Sequence, residues 1–235
     1  GLGDVYKRQT LPGPDPSWRP RAVVFDCDGV LMDTERAWAR VQHRVAEQVG
    51  VTIDERTEAG LMGLSARDIA TFIAARAREA AGASAPGEDE IHDRLVGTEA
   101  DVVGASMDPL PGAVETVRAA ARHVPVAVAS NSTRAILDRK MHAVGLADVL
   151  QTWVSAEDVP RGKPAPDIYE EAVRRLGVDA ADSLAVEDSP AGATAARTAG
   201  LWVLGAPLGH SEPMATHFLV GSLGDPTLQP VSYTH

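Results

Sequence analysis

A single cysteine, Cys27, stands in a chain of 235 residues. No disulfide can form within the chain, and a thiolate zinc cluster is excluded. A reducing, cytoplasmic setting is expected. Lysine is almost as scarce: Lys7, Lys140 and Lys163 are the only three, and arginine supplies the rest of the basic residues. The seven histidines are scattered, with no HExxH or HxH spacing to suggest a histidine metal site. No apolar run approaches the length needed to span a bilayer, and the first residues carry no signal-peptide pattern. Basic excess is missing too. A net charge of −11 argues against nucleic acid as a partner and against an anionic membrane surface. It does not argue against a small phosphorylated ligand held by a local cation. No sequence feature assigns an oligomeric state.

What is present has a rhythm. Residues 1–20 and 230–235 read as tails: GLGDVYKRQ and VSYTH look like translated adapter remnants, and Thr10–Pro20 is an irregular, proline-rich lead-in. Ala22–Phe25 is a wholly apolar run of the kind shown by a strand buried on both faces. From Arg36 the apolar period becomes helical, with Trp38, Val41, Val45 and Val49 on one stripe. Further stripes start at Ile69, behind a Ser65–Asp68 capping box, and at Ile91. Residues 36–107 are therefore expected to form a small helical insert of about 70 residues without strands. After Asp108–Gly112, strands and helices alternate: strands near Val124–Ala129, Thr152–Ser155, Leu184–Val186 and Leu201–Leu204, with a last one at His217–Val220. Such alternation predicts an α/β, Rossmann-like parallel sheet with right-handed crossovers, built from 21–35 plus 108–229, and carrying the helical cap 36–107.

Four groups fall at strand ends or just beyond one, where an open parallel sheet places its ligands. Asp26 and Asp28 follow the first strand; Asp-Gly is common in turns, yet two carboxylates so close need a compensating cation. Glu187 and Asp188 repeat the pattern at a second strand end, and the resulting hard oxygen set suits Mg²⁺. Ser130-Asn131-Ser132 reads equally as a helix cap and as an anion site with free backbone N–H groups. Lys163, in Gly162–Asp167, reads either as a solvated loop lysine or as a compact positive charge aimed at an anion. Cys27 points away from its flanking aspartates and reads as a small core residue.

DCDGVLMDTE, Ser130, Lys163 in GKPAPD, and Glu187-Asp188 together resemble the four motifs of the haloacid dehalogenase superfamily of phosphohydrolases, over about Arg21 to Thr227. The insert after the first motif resembles the small helical cap of the β-phosphoglucomutase-like branch. The resemblance implies that Asp26 is a nucleophile forming an aspartyl-phosphate. It implies that Asp28 is the acid and then the base. Mg²⁺ would be held by Asp26, the Asp28 backbone carbonyl, Asp188 and Glu187. Ser130, the Asn131 N–H and Lys163 would hold the phosphoryl oxygens.

The expected activity is a Mg²⁺-dependent phosphatase acting on a small phosphorylated metabolite such as a sugar phosphate. The alternative is a sugar-phosphate mutase of the β-phosphoglucomutase type. In that alternative a histidine assists from the first cap helix; here Trp38 stands at the corresponding place, and the loop Gly63–Ala66 lacks the mutases' arginine. A phosphonate-cleaving enzyme needs a cap lysine, and 36–107 contains none. A dehalogenase would need neither Asp28 nor a metal. A non-enzymatic binding protein should have lost at least one charged group, and none is missing. Glu35, Trp38, Ser65 and Arg67 are the candidates for reading the substrate, with Trp38 equally placed to be core. Hinges are expected at Met32–Thr34 and Met107–Gly112.

Overall fold

The computed structural model describes residues 11–61, 63–102, 108–207 and 214–224. Residues 1–10 of the first expected tail, the whole of the second, and the Met107 end of the second expected hinge lie outside these residues. The sheet has six parallel strands: β1 (Ala22–Phe25), β2 (Val126–Ser130), β3 (Thr152–Ser155), β4 (Ser183–Glu187), β5 (Trp202–Gly205) and β6 (Phe218–Leu219). Their spatial order is β3-β2-β1-β4-β5-β6, the doubly wound α/β order. This is the parallel Rossmann-like core that the alternation of strands and helices predicts. Among the described residues no helix is long and apolar enough to cross a membrane.

Period-two alternation divides the sheet's residues between two cores. Val23, Phe25, Val126 and Val128 face one cluster with Val117, Leu137 and Met141. Those last three come from α5 (Ala113–Ala121) and α6 (Arg134–Ala143). Ala22, Val24, Ala127, Ala129 and Ala185 face the other. The short side chains on that second face let α7 (Asp167–Leu176) and α8 (Pro190–Thr198) settle on the sheet through Ile168, Tyr169, Ala195 and Ala196. Cys27 is fully buried in the first cluster, as a small core residue should be.

Among the described residues the insert is helical, with one α-helix more than its periodicity indicates. It holds α1 (Glu35–Gln48), α2 (Glu55–Leu61), α3 (Ala66–Ala81) and α4 (Glu88–Val102). Val41, Val45, Leu61, Ile69, Ile73, Ile91 and Leu95 form a third apolar cluster belonging to these helices. Ser65 caps α3 by accepting from the Asp68 N–H at 3.1 Å, but its hydroxyl donates to the Asp68 carboxylate at 2.6 Å. The reciprocal half of a capping box is thus replaced by a side-chain pair. The two linkers to the insert run side by side: Met32 bridges Pro109, and the Leu110 N–H donates to the Leu31 carbonyl at 2.8 Å.

Candidate active site

β2, β1 and β4 are neighbours at the point where the strand order reverses, and their carboxyl ends open into one crevice. Asp26 leaves β1 with its N–H still donating to the Val186 carbonyl at 2.9 Å, so its position is set by the sheet. Ser130 ends β2 and Glu187 ends β4. β2 starts at Val126, behind Pro125, which has no N–H to donate, and its pairing with β3 continues as far as Ser130, opposite Ser155. The approach of the groups is close enough to dictate glycine in two places. A Cβ on Gly29 (φ +83°) would lie 1.7 Å from an Asp188 carboxylate oxygen, and one on Gly192 would lie 1.9 Å from Glu187.

Lys163 is the pivot of one half of the crevice. It is 2% exposed, which removes the solvated-loop reading, and its Nζ donates to both Asp26 and Glu187 at 2.6 Å. The Tyr169 hydroxyl, reaching in from α7, donates to the same Glu187 oxygen at 2.5 Å. Burial pushes the Asp26 carboxyl up to about 7 even against the pull of Lys163, with Glu187 and Asp28 adding to the rise. Burial would depress Lys163, but Asp26 and Glu187 outweigh it and raise its pKa.

The other half is organised by a residue the sequence reading left without a role. Lys140, on α6, is fully buried and donates to Asp28 at 2.6 Å and to the Ser132 hydroxyl at 2.8 Å. Asp28 also accepts from Ser130 at 3.2 Å, from Ser132 at 3.1 Å and from the Thr34 hydroxyl. Burial opposes ionisation of Asp28, but Lys140 and the Thr34 and Ser132 hydroxyls prevail and hold its carboxyl below the usual range. Ser130 therefore serves the Asp28 carboxylate here, while the Asn131 side chain spans core and cap. Its amide donates to the Gly63 carbonyl of the cap at 2.9 Å and to the Lys163 carbonyl at 3.0 Å, and its oxygen accepts from the Lys163 N–H at 2.8 Å.

Carboxylate oxygens of Asp26, Glu187 and Asp188, all buried, lie within 4.8 Å of one another. The donor set is hard and wholly oxygen, which fits Mg²⁺. Charge balance fits as well. Lys140 pairs with Asp28 and Lys163 with Asp26 and Glu187, and Asp188 adds a fourth carboxylate beside them, which leaves two formal negative charges for a dication.

A family described as haloacid dehalogenase-like hydrolase matches residues 20–200. The chain belongs to the haloacid dehalogenase-like hydrolase family. Within it, the chain falls in the β-phosphoglucomutase-like branch. It is 30% identical over 196 residues to hexitol phosphatase B of Escherichia coli (strain K12), covering 82% of this chain and 86% of that protein. It is 32% identical over 200 residues to the bifunctional riboflavin kinase/FMN phosphatase of Arabidopsis thaliana; that match takes in 83% of this chain and 50% of the plant protein, so the chain spans about half of that relative. The solved β-phosphoglucomutase from Clostridium difficile has the same fold, with a TM-score of 0.77 at 22% identity over 88% of this chain and 92% of the other.

Placement of the four candidate specificity residues is uneven. Trp38 lines the cavity above the carboxylates and also packs against the cap's apolar cluster, so its position agrees with either expectation. Arg67 turns away to pair with Asp89 at 2.6 Å on the surface, because its place in the first turn of α3 points it toward α4. Ser65 spends its hydroxyl on Asp68 and lines no part of the cavity. Glu35 begins α1, but its side chain lies outside the described residues. Instead the cap wall is built by Trp38, Gln42, Glu58, Leu64 and Glu99. Burial pushes the Glu99 carboxyl up to about 7, partly offset by Lys140.

Proposed function

We propose that this hydrolase is a Mg²⁺-dependent phosphatase that releases inorganic phosphate from a small phosphorylated metabolite through an aspartyl-phosphate. The observation that carries the reading is the convergence of Asp26, Glu187 and Asp188 around Lys163, with a separately held Asp28 beside them. Names among its relatives, including a hexitol phosphatase, point the same way.

Asp26 attacks phosphorus, the bond to the leaving oxygen breaks, and Asp28, which has to enter this step protonated against the pull of Lys140, gives that oxygen its proton. Asp28 then takes a proton from water, which attacks the phosphoryl group and returns Asp26 as a carboxylate with inorganic phosphate. The Lys140 pairing favours ionised Asp28, the form the water step needs. Lys163 stands beside Asp26 to meet charge on the phosphoryl oxygens, and Ser130 and the Asn131 N–H lie on the same rim. Mg²⁺, held by Asp26, Asp188, Glu187 and the Asp28 carbonyl, would supply charge neutralisation for a phosphate dianion.

Two observations favour hydrolysis over the mutase alternative. Among the described lining residues there is no histidine to pass a proton, and Trp38 cannot do so. The only cations there, Lys140 and Lys163, are already paired with carboxylates, so a second phosphate would find no partner. A cytoplasmic setting agrees with the lone, buried thiol. Phosphate release from a panel of phosphorylated metabolites with Mg²⁺ tests the reading. Asp26→Asn should abolish turnover, by at least about 10³-fold. An Asp26→Asn protein that still cleaved phosphate monoesters would overturn it, as would faster isomerisation of a sugar phosphate than phosphate release.

A further inference from the structure

The cavity above the carboxylates measures about 360 Å³, room for a small ligand. On its core wall Lys140 and Lys163 pair with carboxylates. On its cap wall Glu58 pairs with His43 at 2.6 Å, but the Gln42 amide oxygen and the Glu99 carboxyl have no hydrogen-bond partner among the described residues. Gln42, on α1, is 4% exposed, and its side-chain oxygen is buried without a hydrogen-bond partner among the described residues. Glu99, on α4, is 5% exposed and makes no hydrogen bond or ion pair among the described residues. α1 and α4 pack on each other, so the two side chains share one wall. Buried polar groups are normally satisfied, and an exception inside a cavity points to a missing ligand.

We propose that Gln42 and Glu99 determine specificity by binding hydroxyls of the leaving group, so that the substrate is a polyhydroxylated monophosphate of the polyol or sugar type. The inference rests on the phosphatase reading. With phosphorus placed at Asp26, the leaving group has to extend away from the sheet, toward the cap wall. There an amide presents donors and an acceptor, and a carboxyl presents acceptors. A hydroxyl both donates and accepts, so it can meet either group. An alkyl chain would leave both unpaired, and a second anion would be set against Glu99. The half-buried indole of Trp38 supplies an apolar wall for the C–H side of the same molecule.

The test compares three monophosphates with Mg²⁺: a six-carbon polyol phosphate, n-hexyl phosphate and phosphoethanolamine, with p-nitrophenyl phosphate as a general reporter of phosphatase chemistry. Wild-type protein should prefer the polyol phosphate over n-hexyl phosphate by about 10²-fold in kcat/KM. Gln42→Leu and Glu99→Leu should each cut that preference about tenfold, mainly through KM, while Glu99→Gln keeps most of it. A purely structural role would lower both substrates together and leave the ratio intact, which would overturn the proposal. So would equal use of polyol and hexyl phosphates by wild-type protein, a comparison that depends on no variant. Preference for phosphoethanolamine would reassign the wall to an ammonium and also overturn it. If p-nitrophenyl phosphate alone were cleaved, the hydroxyl proposal would fail and the phosphatase reading would stand. If no phosphate were released from any of the four, the phosphatase reading itself would fall.

Discussion

On the core wall of the cavity, Asp26, Asp28 and Glu187 each lie 2.6 Å from a lysine ammonium. On the cap wall, Gln42 and Glu99 are as deeply buried as Asp26 and make no hydrogen bond to a lysine among the described residues. Both walls carry polarity out of water, but the core wall meets most of it with its two lysines, leaving the rest to a dication, while Gln42 and Glu99 are left to the ligand. Charges that must be in place for every turnover are fixed by the protein itself. Groups that read one particular leaving group wait for it. The contrast makes the core rim a source of rigidity and the cap wall a stability cost that a ligand can relieve.

The sharpest way to break the contrast is to strip the core wall of its cation. Lys163→Met leaves Asp26 and Glu187 buried without their shared ammonium, and should lower stability by about 3–5 kcal/mol in denaturant melts without metal. Adding Mg²⁺ should sharpen the contrast from the other side. At about 100 times its Kd it should stabilise the wild-type protein by about 2.7 kcal/mol, a rise of roughly 5–10 °C in Tm. No rise on adding Mg²⁺ and no fall on adding a chelator would remove the metal from the core wall.

The cap wall should respond in the opposite sense. Folding raises the Glu99 carboxyl from 4.5 to about 7. Its stability contribution is therefore full below about pH 4.5 and is lost as pH rises through 7. Glu99→Gln removes that loss. The variant should match wild type near pH 4.5, pull ahead between pH 4.5 and 7, and be more stable above pH 7 by at most about 3 kcal/mol. Thermal melts across this range would read it, and a gap independent of pH would count against the assignment. The smallest effect belongs to Arg67→Ala. The Arg67–Asp89 pair is half exposed on one side and almost wholly exposed on the other. Stability should change by less than about 1 kcal/mol, and KM for the preferred substrate should not move. A tenfold KM increase would return Arg67 to the site.

The core wall was largely legible from sequence because each of its parts follows a local pattern. Apolar runs ending in Asp26 or Glu187 announce buried strands with a functional rim, and a lysine in an arginine-rich chain announced Lys163. The same scarcity applied to Lys140, yet it sits in a helical stripe next to Met141 and nothing nearby says which way it faces. Only the packing of α6 against the β1 loop brings it to Asp28. Tyr169 was hidden for the same reason: its partner Glu187 is set by the crossing of α7 over the sheet. In the cap, Glu55–Leu61 is too short to show a stripe, with Leu61 as its buried residue. The turn of α3 sends Arg67 to the surface and Ser65 is taken up in capping that helix, while Gln42 and Glu99 are brought to one wall from positions more than fifty residues apart in the sequence.

Cys27 lies between the two aspartates, wholly buried, and burial holds its thiol well above the ordinary range. It is thus shielded and protonated at once, and slow to react in the closed molecule. Because no other thiol is present, covalent labelling of the native chain is a clock for the opening of the loop that carries Asp26 and Asp28. No engineered probe is required. Any ligand that binds only the closed loop must slow that clock in proportion to its occupancy.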